Sequence, residues 1–226
     1  MEKYLGGYLS RNSPNETFSF WVIEQYNSDL FNRGWLANVG IKMVSQLYPN
    51  IQCIIFHDVD LIPKNGTFVP YNDCDRPTQL GSELQHWGWG VPYINSAGGI
   101  VSMHVRHWYQ INGFSNDFEG WGGEDDDLFQ RLRMNGLLDN STKTIRRPGK
   151  GHGIFNTISE ARNHHPEKVK AGKEYKNSQQ IIISMEQGSN RWKSDGLSDL
   201  TYKVLGFENS SSPQMFVNSH HLRVVP

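Results

Sequence analysis

Ile51-Gln52-Cys53-Ile54-Ile55-Phe56-His57-Asp58-Val59-Asp60-Leu61-Ile62-Pro63 is an apolar run that ends in two acids between two prolines, Pro49 and Pro63. Its β-branched and aromatic content predicts a buried strand over residues 51–56. Asp58 and Asp60 fall at the carboxyl end of that strand. In extended chain, residues two apart point to the same face. Working back, Trp35, Leu36, Val39, Ile41, Met43, Val44 and Leu47 recur at helical spacing and stop before Pro49. Ahead of them, Phe18-Ser19-Phe20-Trp21-Val22-Ile23 reads as a second buried strand. Strand, helix, strand predicts a βαβ unit with a parallel pair, hence an α/β domain with a mostly parallel central sheet. In open α/β sheets, ligands lie beyond the carboxyl ends of the strands.

Working forward, Glu119-Gly120-Trp121-Gly122-Gly123-Glu124-Asp125-Asp126-Asp127 sets a tryptophan among three glycines before four consecutive acids. Leu128, Phe129 and Leu132 follow at helical spacing, and Asn135-Gly136 is a helix stop. The acids therefore fall at a helix N-terminus, where the macrodipole and free N–H groups favour their charged form. Four adjacent like charges need something positive to face: a metal, a basic side chain or hydroxyl donors. A solvated helix cap is the ordinary alternative, but a cap needs one acid.

The remaining segments are read more coarsely. Residues 1–17 are polar and turn-rich, and 62–86 form a long loop. Residues 87–103 run from loop through Gly98-Gly99 into a strand, and His104–Ile111 is a short helix. Residues 136–180 are polar, 181–204 regain apolar character, and Met215–Val217 and Leu222–Val225 look like short strands. There is no repeat, no low-complexity tract and no linker, so 226 residues make one domain with a full core. A net charge of −1 gives no argument for nucleic acid or an anionic membrane surface. No run approaches the roughly 20 apolar residues of a membrane span, and residues 1–10 carry no secretory-signal pattern. Cys53 and Cys74 are either buried thiols or one bridge. With Asn-x-Ser/Thr acceptors at Asn15, Asn65, Asn140 and Asn209, they lean toward an oxidising, lumenal setting.

Two carboxylates at a strand end suit a hard divalent cation such as Mg²⁺ or Mn²⁺, which commonly keeps phosphate oxygens as further ligands. A D-x-D triplet is short and common in loops; its place after a hydrophobic strand is what gives it weight. His152, His164 and His165 offer nitrogen ligands, although a lone histidine is more often a surface residue. Arg33, at the start of the helix, can pair with a phosphate bidentately, or simply form a surface ion pair.

These residues carry a resemblance. Phe31-Asn32-Arg33-Gly34-Trp35-Leu36-Ala37-Asn38-Val39-Gly40, Cys53 to Pro63 with its Asp58-Val59-Asp60, Pro92-Tyr93 before Gly98-Gly99, Ile111-Asn112-Gly113-Phe114, Gly120-Trp121-Gly122-Gly123-Glu124-Asp125-Asp126-Asp127 and Ser194-Asp195-Gly196-Leu197 occur in the order of the β-1,4-galactosyltransferase family, glycosyltransferase family 7, across residues 18–204. The chain resembles the catalytic region of that family. The resemblance implies a single GT-A, Rossmann-like domain over residues 1–226, a UDP-galactose or UDP-N-acetylgalactosamine donor, Mn²⁺, and inverting β-1,4 transfer to a carbohydrate acceptor ending in N-acetylglucosamine, glucose or xylose, in the Golgi lumen.

Carried over residue by residue, Phe31 and Arg33 would hold UDP. Asp58 and Val59 would line the nucleotide site, and Asp60 would bind the metal. Tyr93 and Gly99 would shape the sugar pocket, and Trp121 would sit on a mobile loop over the donor. Tyr93, Glu124 and Asp126 would face the acceptor, with Asp125 as general base. The resemblance also implies a Cys53–Cys74 bridge. Galactose-specific members usually place a tyrosine where this chain has Ser96, so serine implies room for an N-acetyl group, unless Trp87 or Trp89 fills it.

The chain departs from the family at several points. The family's first strand and its nucleotide-binding Pro-Phe-Arg-x-Arg turn are expected before residue 1, and so are its anchor and stem. Glu119 replaces a frequent tryptophan. About ten extra polar residues separate Gly149-Lys150-Gly151-His152 from His164-His165, so both His164 and His152 are candidate metal ligands, His164 ahead. A catalytically silent sugar-binding member is the alternative reading. A glycosidase built on two acids of the cluster explains neither Asp58-Val59-Asp60 nor Arg33.

Overall fold

The computed structural model describes residues 2–158, 190–211 and 217–226. In chain order they form α1 (Glu2–Asn12), β1 (Phe18–Gln25), α2 (Arg33–Leu47), β2 (Cys53–His57), β3 (Leu61–Pro63), β4 (Thr78–Gln79), β5 (Glu83–Leu84), β6 (Ile100–His104), α3 (Val105–Gln110), α4 (Glu124–Met134), β7 (Ile154–Thr157), β8 (Lys203–Ser211) and β9 (Val217–Val225). Among the described residues, no helix is long and apolar enough to cross a membrane.

The strands form three small sheets, ordered β1-β9-β8, β2-β6-β4 and β3-β7-β5. Among the ladders between the described strands, β1–β9 and β5–β7 are parallel and the other four are antiparallel. The expected strand–helix–strand order is present, but β1 and β2 do not pair with each other. Each has one edge committed elsewhere, β1 to β9 and β2 to β6. Between them opens a cavity of about 2900 Å³ lined by residues 18–23 of β1, 53–57 of β2 and the inner face of α2. This is why β2, apolar on both faces, is only half-buried along its length.

Local sequence explains the elements around that cavity. The Asn32 side chain caps α2 by accepting from the Trp35 N–H at 2.8 Å. Trp35, Leu36 and Val39 of α2 pack on Leu222 and Val224 of β9, while Ala37 and Ile41 join a core with Val101, Met103, Trp108 and Leu128. Burying side chains of this size contributes roughly 1.5–3 kcal/mol each. β6 is the innermost strand: Ile100, Val101 and Met103 are fully buried. Trp108 of α3 donates its indole N–H to the Ile54 carbonyl at 3.1 Å, tying α3 to β2.

Two expectations about the chain's ends need correction. Residues 2–12 are helical, because Leu5, Tyr8 and Leu9 at i, i+3 and i+4 bury against Leu61, Val69 and Tyr71. Gly6 and Gly7 made this stretch read as turn. The C-terminal strands are one nine-residue strand, β9, between β1 and β8. The Cys53–Cys74 disulfide is present, with Cα atoms 5.8 Å apart, and ties the start of β2 to the long loop. Closing a loop of 21 residues stabilises by about 3 kcal/mol on the chain-entropy model.

Candidate active site

At the carboxyl end of β2 the chain turns sharply. The Leu61 N–H reaches back to the Asp58 carbonyl at 3.4 Å, so Asp58-Val59-Asp60 is a turn and not the extended segment expected. Both acids still line the cavity. The Asp58 carboxylate pairs with the Arg33 guanidinium at 2.5 Å, and Arg33 also pairs with Glu124 at 2.9 Å. Arg33 lies over the Phe56 ring, 4.3 Å from its centroid. Burial alone would push the Arg33 pKa down; Asp58 and Glu124 more than offset this and hold it above its ordinary value.

All four consecutive acids lie in the first turn of α4, as predicted, behind Gly123 in the left-handed region at φ 99°. They have different surroundings. Glu124, expected to face an acceptor, turns inward to Arg33. The Tyr93 hydroxyl donates to Asp126 at 2.6 Å. Asp127 pairs with Arg131 at 2.5 Å inside the core, where Arg131 also meets Asp195 at 3.1 Å. Asp125 lies against Gly98: a Cβ there would fall 2.7 Å from Asp125 Oδ2, so only glycine allows this approach.

Position at a helix N-terminus does not decide the charge of these acids. Burial raises the pKa of Glu124, with Arg33 opposing. Burial also raises the pKa of Asp125, helped by neighbouring Asp126 and opposed by Arg33. The macrodipole argument from sequence omitted this desolvation, which wins. A base with a raised pKa is a stronger proton acceptor once ionised.

The remaining predicted residues ring the opening. Phe31, Val59, Tyr93 and Trp121 are exposed. The Phe31 carbonyl accepts from the Gly120 N–H at 2.8 Å, fastening the tryptophan loop to the start of α2. Gly99 accepts from the Asp58 N–H at 3.1 Å, joining the two loops that line the cavity. Ser96 is buried at the cavity wall, whereas Trp87 and Trp89 are both nearly half exposed.

The metal expectation fares unevenly. His164 lies outside the described residues. His152 does not share a site with Asp60. β7 pairs Thr157 with Leu61 and Phe155 with Pro63, so His152 lies beyond the far end of that ladder, roughly 15 Å along the chain from Asp60. It sits instead edge-on to Phe68. Among the described residues no three His, Cys, Asp or Glu side chains converge on a cation site. The Asp60 carbonyl accepts from the Ile158 N–H at 2.8 Å.

Sequence reasoning missed Gly98, Gln79, Arg147 and the Arg131–Asp195 pair. The only signal for Gly98 was the Gly98-Gly99 doublet. Gln79 ends the two-residue strand β4, Arg147 and Asp195 lie outside regular elements and Arg131 is in a helix interior, so no periodicity marks them.

The described elements thus surround a large cavity lined by Arg33, Asp58, Asp60 and Asp125. Two family descriptions match in succession: the N-terminal region of glycosyl transferase group 7 over residues 3–74, and the N-terminal domain of galactosyltransferase over residues 78–161. The chain belongs to glycosyltransferase family 7, the β-1,4-galactosyltransferases. It is 34% identical to β-1,4-galactosyltransferase 4 of Rattus norvegicus over 208 residues, 92% of this chain and 55% of that protein. It is 32% identical to β-1,4-galactosyltransferase 1 of Bos taurus over 202 residues, 89% of this chain and 46% of that protein. The chain thus spans about half the length of the curated relatives it matches. A crystal structure of a mutant Drosophila β-1,4-galactosyltransferase 7, complexed with manganese, UDP-Gal and xylobiose, superposes with a TM-score of 0.73 at 27% identity, covering 99% of this chain and 85% of that one.

Proposed function

We propose that this chain is a catalytic domain that transfers galactose or N-acetylgalactosamine from a UDP-sugar to a sugar hydroxyl, inverting the transferred centre and making a β-1,4 linkage. The observation that carries this reading is Asp125: a carboxylate in the first turn of α4, against Gly98, in the wall of a cavity that also holds Arg33, Asp58 and Asp60. Asp125 accepts the proton of the acceptor hydroxyl as its oxygen attacks the anomeric carbon, and the bond from that carbon to the UDP oxygen breaks with its electrons leaving on UDP. Arg33 offers its guanidinium to the diphosphate, with Phe31 and Val59 beside the nucleotide. Tyr93 and Asp126, already hydrogen-bonded to each other, face the acceptor. Trp121, on a loop of glycines at positive φ, covers the donor and excludes water.

A divalent cation, Mn²⁺ in the Drosophila complex, would be held here by Asp60 together with a ligand such as His164, and when bound it supplies positive charge to the departing diphosphate. The facing edges of β1 and β2, unpaired among the described residues, support a further strand between them as part of the same single domain, with its nucleotide-binding turn at the Arg33 end. Family kinship supports a Golgi-lumen location for the protein.

Ser96 bears on the donor. A serine leaves the space a tyrosine ring would fill, and Trp87 and Trp89 are both nearly half exposed, which supports use of UDP-N-acetylgalactosamine at least as well as UDP-galactose. The deciding experiment measures turnover of both donors on N-acetylglucosamine, glucose and xylose acceptors, with and without Mn²⁺, for wild type and Ser96→Tyr. Metal-dependent turnover, with a shift toward galactose in the variant, is expected. UDP-sugar binding without turnover on any acceptor would establish a silent sugar-binding protein instead.

A further inference from the structure

The loop Tyr93–Gly99 carries Tyr93, Ser96 and the two glycines of the site, yet forms no regular strand or helix. Two side chains hold it from behind. Arg147 Nη2 donates to the carbonyls of Ile94 and Ser96, each at 2.9 Å, and Arg147 Nε donates to Gln79 Oε1 at 2.8 Å. Gln79 Nε2 donates to the Gly98 carbonyl at 2.9 Å and lies 3.5 Å from Ser96 Oγ. Gln79 and Ser96 are both almost fully buried, and both line the cavity.

The chemistry of these groups fixes their orientation. A guanidinium only donates hydrogen bonds, so the Gln79 oxygen must face Arg147 and its amide nitrogen must face Ser96 and the cavity. One amide hydrogen is used by Gly98. The other has only a long contact with the Ser96 hydroxyl, at the outer limit for a hydrogen bond. Burial weakens the hold of Arg147 on its proton, and no carboxylate offsets this. Its place is set by the carbonyls and the Gln79 amide. The result is a pair of hydrogen-bond donors, the Ser96 O–H and the Gln79 N–H, side by side in the wall and matched to an acceptor oxygen.

We propose that Gln79 reads the 2-substituent of the donor sugar together with Ser96, its amide N–H donating to an N-acetyl carbonyl, and that Arg147 is the positioning residue that locks the amide in that orientation. This rests on the UDP-sugar reading above and names the group within it that selects the donor. Gln79→Glu keeps an acceptor for Arg147 but removes both N–H donors. Arg147→Met leaves the amide free to turn, and Arg147→Lys restores one donor to Gln79 Oε1.

The test measures binding of UDP, UDP-galactose and UDP-N-acetylgalactosamine by calorimetry, with kcat/KM for both donors, in wild type and these variants. Gln79→Glu should weaken UDP-N-acetylgalactosamine relative to UDP-galactose by roughly three- to tenfold, the worth of one hydrogen bond, with UDP unchanged. Arg147→Met should do the same, and Arg147→Lys should recover part of the ratio. A purely structural role would lower both donors equally and leave the ratio fixed, which overturns the inference while the transferase reading stands. If wild type binds neither UDP nor either donor, the reading fails and this inference with it. If Arg147→Met does not fold, Gln79→Glu decides alone.

Discussion

Arg33 and Arg131 each stand between two carboxylates, and their surroundings differ. Arg33 joins Asp58 and Glu124 at the cavity wall, with side-chain exposures of 18%, 30% and 12%. Arg131 joins Asp127 and Asp195 in the core, with 1%, 7% and 10%. One helical turn feeds both, since Glu124 and Asp127 are three residues apart. Arg131 has no room for another partner: it also donates to the Asp195 carbonyl at 2.8 Å. Arg33 lines a cavity in which a phosphate can compete for its donors. The same three-charge arrangement is structural where water is excluded and available for binding where a cavity reaches it.

The largest effect expected from this contrast is on stability. Arg131→Met removes the ion-pair partner of Asp127 in the core and one of the two arginines at Asp195, and should cost about 3–5 kcal/mol in denaturant unfolding. Arg33→Met, nearer solvent, should cost about 1 kcal/mol. Equal losses would erase the distinction. Next is Asp125→Asn, expected to lower turnover by roughly 10²-fold or more while UDP affinity stays near wild type. Wild-type turnover would remove Asp125 from the base role.

A smaller effect sharpens the comparison at constant charge. Lysine lacks the planar fork of arginine. Arg33→Lys should weaken UDP binding about tenfold, roughly 1.4 kcal/mol, with the melting temperature nearly unchanged. Arg131→Lys should lower the melting temperature and leave UDP affinity alone.

The smallest effect is on pH dependence. Burial raises the Asp125 pKa in the folded state, so its contribution to stability is fully present below the ordinary carboxylate range, about pH 4, and is lost as pH rises through the raised value. Asp125→Asn lacks that loss. The stability difference between variant and wild type should therefore move in the variant's favour from pH 4 upward, as read by thermal melts in a pH series. A flat difference would mean that Asp125 keeps an ordinary pKa.

Much of this was legible in the sequence, for reasons that differ by residue. α2 and α4 were readable because an apolar stripe and a stop coincide in each. The four acids announced a need for positive partners, and Arg33 was singled out separately, as a phosphate partner or a surface ion pair; its contact with Glu124 appears only in the structure. Arg131 was not, because an arginine in a helix interior reads as a solvated face until its burial is known. The sign of the Asp125 shift depends on burial in a wall shared with Gly98, 27 residues away, which no local pattern encodes. Pairing of β1 with β9 and not β2 was hidden for the same reason. Helical and strand periodicity report which face is buried, not which strand lies alongside.

That last pairing shapes how the chain comes to be folded. β1 and β9 run parallel with Phe18 opposite Val217, 199 residues apart, and Glu24 of β1 meets Arg223 of β9 at 3.0 Å. During synthesis at about 5–20 residues per second, β1 waits roughly 10–40 s before its partner is made. Over that interval the edge of β1 that meets β9 has no ladder, and the loop to be closed runs from Phe18 to Val217. Completion of the sheet is thus one of the last events of folding, and the nascent protein is most exposed to aggregation or chaperone capture along β1.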